Sequence, residues 1–253
     1  MQKLNNKVMI ITGGAQGMGE MHAKKAIEHG AKVVITDINE EKGNELAKTL
    51  GSNALFIKHD VTSEDDWQNV IETVLAKWKK IDVLVNNAGM TYNKPLESLT
   101  LDDYMKIVNI NQVSVFLGIK SVAKVMKEQQ SGAIINISSI DGLVGGAIGY
   151  TDTKFAVRGM TKAAAHELSP YNIRVNSVHP GVINTPMIQQ KDVKEAVDEF
   201  AKQIPMRRIA EVEEVSNMVC FLASDEASYS TGSEFVIDGG ITCLLYTSPS
   251  PRD

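Results

Sequence analysis

Val8-Met9-Ile10-Ile11-Thr12-Gly13-Gly14-Ala15-Gln16-Gly17-Met18-Gly19 reads as a strand that passes through a glycine turn directly into a helix. The run Val8 to Ile11 has no polar alternation, which marks a strand covered on both faces, as in a parallel sheet. Gly13, Gly17 and Gly19 permit a tight turn and close backbone approach, with Gln16 and Met18 between them. The free N–H groups of the following helix can then face a pyrophosphate. The spacing is Gly-x3-Gly-x-Gly, different from the GxGxxG fingerprint, so the strand–turn–helix context carries the nucleotide reading and a plain β-to-α turn is its alternative.

Outward from that turn, short β-branched runs alternate with helical stretches, the pattern of βαβ units. Strands are expected at Val8–Thr12, Lys32–Thr36, Leu55–Lys58, Val83–Asn86, Ala133–Ser138, Ile173–His179 and Glu234–Ile237. Helices are expected at Met18–His29, Glu40–Leu50, Glu64–Lys80, Leu101–Gln129, Tyr150–Leu168 and Val212–Ala223. Right-handed crossovers then require an α/β fold: one doubly wound parallel sheet, Rossmann-like, with helices on both faces. Residues 1–242 form a single dinucleotide-binding domain in this reading, with Met187–Arg208 as an inserted helical lid. Residues 243–253 break the rhythm. Pro249 and Pro251 oppose any element there, so the segment is read as a disordered and non-native tail.

Composition narrows the partners. Among 253 residues, 43% are hydrophobic and 23% charged, which is ordinary for a globular chain. A net charge of −5 argues against a nucleic-acid partner and for a small-molecule substrate. Apolar runs are strand-length, well below the ~20 residues of a membrane span. The opening Met1–Asn6 lacks the apolar stretch of a signal peptide, which points to the cytoplasm. Cys220 reads as core, Cys243 falls near the tail, and His22, His29, His59, His166 and His179 show no metal-binding order, so they read as structural or surface residues and no metal site is expected.

Two further features bear on chemistry. Asp37 ends the second strand, where a carboxylate can accept hydrogen bonds from ribose hydroxyls and repel a 2′-phosphate. No Lys or Arg occupies positions 14 to 16 or 38 to 39, which favours NAD over NADP. Tyr150 and Lys154 stand at (i, i+4) and share one helix face, so the ammonium can lower the phenol toward working pH.

With these residues in order, the chain resembles the short-chain dehydrogenase/reductase family, most closely its hydroxysteroid and secondary-alcohol dehydrogenases. The resemblance places Asn111, Ser139, Tyr150 and Lys154 on the family's catalytic tetrad. It implies that Asp60 and Val61 contact adenine, and that Asn87, Ala88 and Gly89 close the fourth strand beside the nucleotide. Pro180, Gly181, Ile183 and Thr185 fall in the segment implied to hold the nicotinamide carboxamide. A homotetramer built partly on Leu101–Gln129 and Tyr150–Leu168 is implied as well. The expected reaction interconverts a secondary alcohol and a ketone. Alternatives are a 3-oxoacyl-carrier-protein reductase and a non-catalytic nucleotide-binding protein of the same fold.

The pattern departs from the family in three places. Asp152 and Thr153 replace small residues, the span from Ser139 to Tyr150 is short, and the tail differs. Asp152 is expected to point off the Tyr–Lys face. The short, glycine-rich loop is expected to lie low and admit bulky apolar ketones, with Leu143, Val144 and Met187 as one wall and Thr91 and Tyr92 as the other.

Overall fold

The computed structural model describes residues 2–92, 94–185, 197 and 199–245. Its strands are β1 Val8–Thr12, β2 Lys32–Asp37, β3 Ala54–Lys58, β4 Val83–Asn86, β5 Gly132–Ile137, β6 Ile173–Pro180, β7 Ile183–Asn184, β8 Ala210–Glu211 and β9 Glu234–Ile237. Seven of them form one parallel sheet in the order β3-β2-β1-β4-β5-β6-β9. The chain winds outward from β1 to β3, returns to begin β4 on the other side of β1, and winds outward again. Loops leaving β1 and β4 therefore diverge, and a crevice opens at the carboxyl ends of the strands.

Its α-helices are α1 Gly17–Glu28, α2 Glu40–Leu50, α3 Glu64–Trp78, α4 Leu101–Val108, α5 Ser114–Gln129, α6 Tyr150–Leu168, α7 Val212–Ala223 and α8 Ile241–Leu245. All of β1 is buried, and its period-2 alternation divides the core. Met9 and Ile11 pack with Ala23 of α1, Leu46 of α2 and Val219 of α7. Val8 and Ile10 pack on the opposite face with Trp67 and Val70 of α3, Leu117 of α5 and Leu168 of α6. Each fully buried side chain of this size contributes roughly 1.5–3 kcal/mol by leaving water.

Three expectations need correction. The single helix expected over Leu101–Gln129 is two helices joined by a π-helical turn at Asn109–Val113. The turn lets Asn111 give its amide to the Met90 backbone, and Ser114 Oγ donates to the Ile110 carbonyl at 2.6 Å. Second, a short parallel ladder pairs Ile183 with Ala210 and Asn184 with Glu211, closing the base of the segment read as a lid. Residues 187–196 and 198 of that segment, Met187 included, lie outside the described residues. Third, Cys243 belongs to α8, so the start of the supposed tail does form an element. Asp238 organises it: Oδ2 accepts the Thr242 N–H at 2.9 Å and the Thr242 hydroxyl at 2.6 Å. Residues 246–253 lie outside the described residues. Among those described, no helix is long and apolar enough to cross a membrane.

Candidate active site

A cleft of about 1260 Å³ opens at the carboxyl edge of the sheet, at the β1/β4 divergence. At one end lies the glycine turn. Gly13 has φ +60° and sits so close to Ala88 that a Cβ would come within 2.9 Å of its Cα, so only glycine lets the β1 and β4 turns meet. Gly17 has φ +59° and open space before it, a hollow that any side chain would begin to fill. Gln16 gives α1 no side-chain cap, so the first N–H groups of that helix remain available to an anion. Asn87 donates to the Thr12 and Gly13 carbonyls, while its buried Oδ1 has no partner. An uncapped helix start and a hollow fit a bound pyrophosphate, while the orphaned Asn87 oxygen can accept from a hydroxyl or N–H donor of the same ligand.

Asp37 lines the cleft where β2 ends. Its Oδ2 accepts the Ala15 N–H at 3.1 Å and its Oδ1 the Asn39 N–H at 2.9 Å, which fixes the carboxylate on the cleft wall. Asp60 and Val61 line the same wall, with Asp60 Oδ1 held by both the N–H and the hydroxyl of Thr62. Those bonds also draw its pKa below the usual range. Gln16, Met18, Ala88, Gly89, Pro180, Gly181, Ile183 and Thr185 line the cleft as well. Gly19 does not. It packs behind the turn, where a Cβ would lie 2.2 Å from the Gly13 carbonyl oxygen.

At the other end, Ser139, Tyr150 and Lys154 meet. Ser139 follows β5, and its Oγ accepts the Asp141 N–H at 3.1 Å, starting the 3-10 turn Ile140–Gly142. Tyr150 opens α6, and one helical turn on, Lys154 places Nζ 5.5 Å from the centre of the Tyr150 ring. Lys154 is 4% exposed and donates to the Ile137 carbonyl at 3.0 Å. Burial lowers its pKa to about 8. The expected fall in the Tyr150 phenol is not seen: burial pushes it up, the Asp141 carboxylate adds to the rise, and the hydrogen bond with Ser139 works against it.

Asn111 stands behind this group rather than in the cleft wall. Its Oδ1 accepts the Met90 N–H at 2.8 Å and its Nδ2 donates to the Met90 carbonyl at 2.9 Å. Thr153, marked in the sequence only as a departure from the family pattern, donates to the Tyr150 carbonyl at 2.7 Å and accepts from Asn111 at 3.4 Å. It therefore ties the π-helical turn to the backbone of Tyr150. Asp152 points away as expected, accepting the Tyr104 phenol at 2.7 Å. Leu143 does not line the cleft, because the 3-10 turn carries it past the opening. Ile38, Met90, Met105, Ile110 and Val182 line the cleft without having been singled out, and so does His59, which was read as a structural or surface residue. Ile38 and Val182 adjoin recognised motifs, and proximity to those motifs was the available signal.

A short-chain dehydrogenase model described as enoyl-(acyl carrier protein) reductase matches residues 13–242. The chain belongs to the short-chain dehydrogenase/reductase family, oxidoreductases that use a nicotinamide dinucleotide. It is 47% identical to the 3-alpha-(or 20-beta)-hydroxysteroid dehydrogenase of Mycobacterium bovis, over 96% of this chain and 92% of that one. It is 45% identical to the cyclopentanol dehydrogenase of a Comamonas species, covering 96% and 99%. The NADP-dependent (R)-specific alcohol dehydrogenase of Lentilactobacillus kefiri is 38% identical, covering 95% and 98%. The solved structure of levodione reductase superposes with a TM-score of 0.91 at 32% identity, covering 95% and 99%.

Proposed function

We propose that the protein is an NAD-dependent dehydrogenase of secondary alcohols, acting on a bulky, largely apolar alcohol–ketone pair. The meeting of Ser139, Tyr150 and Lys154 at one end of a cleft whose other end is an uncapped glycine turn carries the reading. A bound nicotinamide dinucleotide supplies the hydride chemistry. Tyr150 exchanges the proton of the substrate hydroxyl. Ser139 turns its O–H toward the carbonyl oxygen, and the Lys154 ammonium keeps two N–H groups beyond its bond to Ile137 for the phenol and the nicotinamide ribose. Asn111, with one Oδ1 lone pair left, holds a water on the proton path.

Support for NAD comes from Asp37, a fixed carboxylate that would face a 2′-phosphate. Lys42, whose ammonium donates to the cleft-lining Gln16 at 2.8 Å, is the opposing charge. Support for a bulky substrate comes from the apolar lining at Met90, Met105 and Ile110 and from the hydroxysteroid and cyclic-alcohol relatives. We also read the enzyme as a cytoplasmic homotetramer. Initial rates with NAD and NADP, against hydroxysteroids, 2-butanol and 3-oxoacyl thioesters, test the whole reading. NADH production with a higher kcat/KM for the hydroxysteroid is the expected result, since extra buried methylenes contribute about 0.8 kcal/mol each. Asp37→Ser should raise NADP use and lower NAD use. Equal use of both cofactors by the unmodified protein would overturn the NAD assignment, and preference for 2-butanol would overturn the bulky-substrate assignment.

A further inference from the structure

We propose that His179 is a positioning residue for Ser139, holding the corner after β5 so that the serine hydroxyl meets the substrate oxygen. The inference rests on the reading of Ser139 as the group that binds that oxygen. His179 is the penultimate residue of β6 and is fully buried. Two residues before it on the same face of the strand, Ser177 is fully buried too. The His179 ring bridges them to the site: Nδ1 lies 2.9 Å from the Ser139 carbonyl oxygen and Nε2 lies 2.9 Å from Ser177 Oγ. A carbonyl can only accept, so the ring proton sits on Nδ1, and Nε2 must accept the Ser177 O–H. Ser177 therefore satisfies Nε2 in the tautomer that grips Ser139.

The β5–β6 ladder explains why a side chain is needed there. Its last rung is the Ser138 N–H donated to the Val178 carbonyl at 2.8 Å. Pro180 follows His179 and has no N–H to donate to β5, so the backbone ladder cannot extend to the serine. The imidazole supplies a bond one residue further along, at the point where the chain leaves the sheet for the 3-10 turn. Burial alone does not impose two bonds on a histidine in this protein. His22 and His59, equally buried, each leave Nε2 without a partner.

Asparagine and glutamine separate the two ends of the ring. The Asn amide nitrogen can take the place of Nδ1, whereas the Gln amide reaches the place of Nε2. His179→Asn should therefore keep most of the wild-type kcat. His179→Gln should lose roughly tenfold to hundredfold in kcat, the scale of a displaced reacting group, with NAD affinity by fluorescence titration and KM changed less than twofold. Equal kcat for the two variants, or losses that follow melting temperature, would overturn the inference while an active wild type leaves the dehydrogenase reading intact. An inactive wild type would overturn both. Should neither variant fold, Ser177→Ala, which removes the bond that holds the ring at Nε2, should lower kcat severalfold at constant KM; an unchanged kcat would count against His179.

Discussion

Tyr150 and Lys154 are driven toward neutrality by the same burial, the phenol upward and the ammonium down to about 8. The fall in Lys154 corresponds to about 3 kcal/mol lost from its charged form. A phenol that stays protonated near pH 7 is ready to donate to a ketone, while alcohol oxidation needs it as a base. Alcohol oxidation should therefore rise from pH 7 into the alkaline range, and ketone reduction should not; an oxidation optimum below pH 7 would contradict this. Tyr150→Phe should abolish turnover in both directions and leave cofactor binding nearly intact. The positions of this pair were legible in the sequence because (i, i+4) spacing fixes a shared helix face. Their protonation was not, because desolvation comes from residues distant in sequence. The bonding role of Thr153 was not legible for a related reason: its contact with Asn111 spans 42 positions in the chain.

At the scale of elements, close approach matters as much as pattern. Gly118 brings α5 against β4: a Cβ there would lie 2.3 Å from Asn86 Oδ1 and 3.1 Å from the Trp67 ring. Asn86 cannot swing aside cheaply, since its Nδ2 donates to Asn136 at 2.9 Å inside the core. Gly118→Ala gains helix propensity of up to ~1 kcal/mol, but overpacking of this kind costs about 1–3 kcal/mol, so the overlap should win. Gly159 in α6 has nothing within 4 Å, and Gly159→Ala should raise stability. Urea denaturation of the two variants checks the contrast, and equal stabilities would refute it. The sheet strands were readable from their apolar runs, to within a residue or so at each end. The π-helical turn at Asn109–Val113 was not, because its apolar spacing continues that of the flanking helices and the extra residue shows only in hydrogen bonding. The β7–β8 ladder joins two-residue pieces too short to leave a period.

For the whole molecule, right-handed crossovers made the doubly wound sheet derivable, whereas the outer surface and the burial of titratable groups were not. Phe116 of α5 and Phe155 of α6 are 50% and 40% exposed, apolar surface that favours a covering partner. The proposed homotetramer should appear in light scattering at micromolar concentration; a monomer would refute it. The two faces of the sheet are also each held by a neutral histidine. His22 of α1 bonds Ser216 of α7 at 2.7 Å, and His59, after β3, bonds Thr36 of β2 at 2.9 Å and stands edge-on to Trp67 of α3. Burial lowers their pKa values from 6.5 to about 3 and about 4. The unfolded chain therefore takes up protons that the folded chain refuses. Stability should be complete above pH 6.5 and fall as the pH drops toward 4, by up to ~2–3 kcal/mol per unit when both groups contribute. The ion-paired carboxylates act later: Asp103, held by Lys94, and Glu214, held by Arg208, stay ionised down to about 2. Urea unfolding at pH 7, 5.5 and 4.5 should show the decline, and His22→Asn should reduce its slope by one proton's worth. A stability unchanged between pH 7 and 4.5 would mean that these histidines open to solvent at little cost.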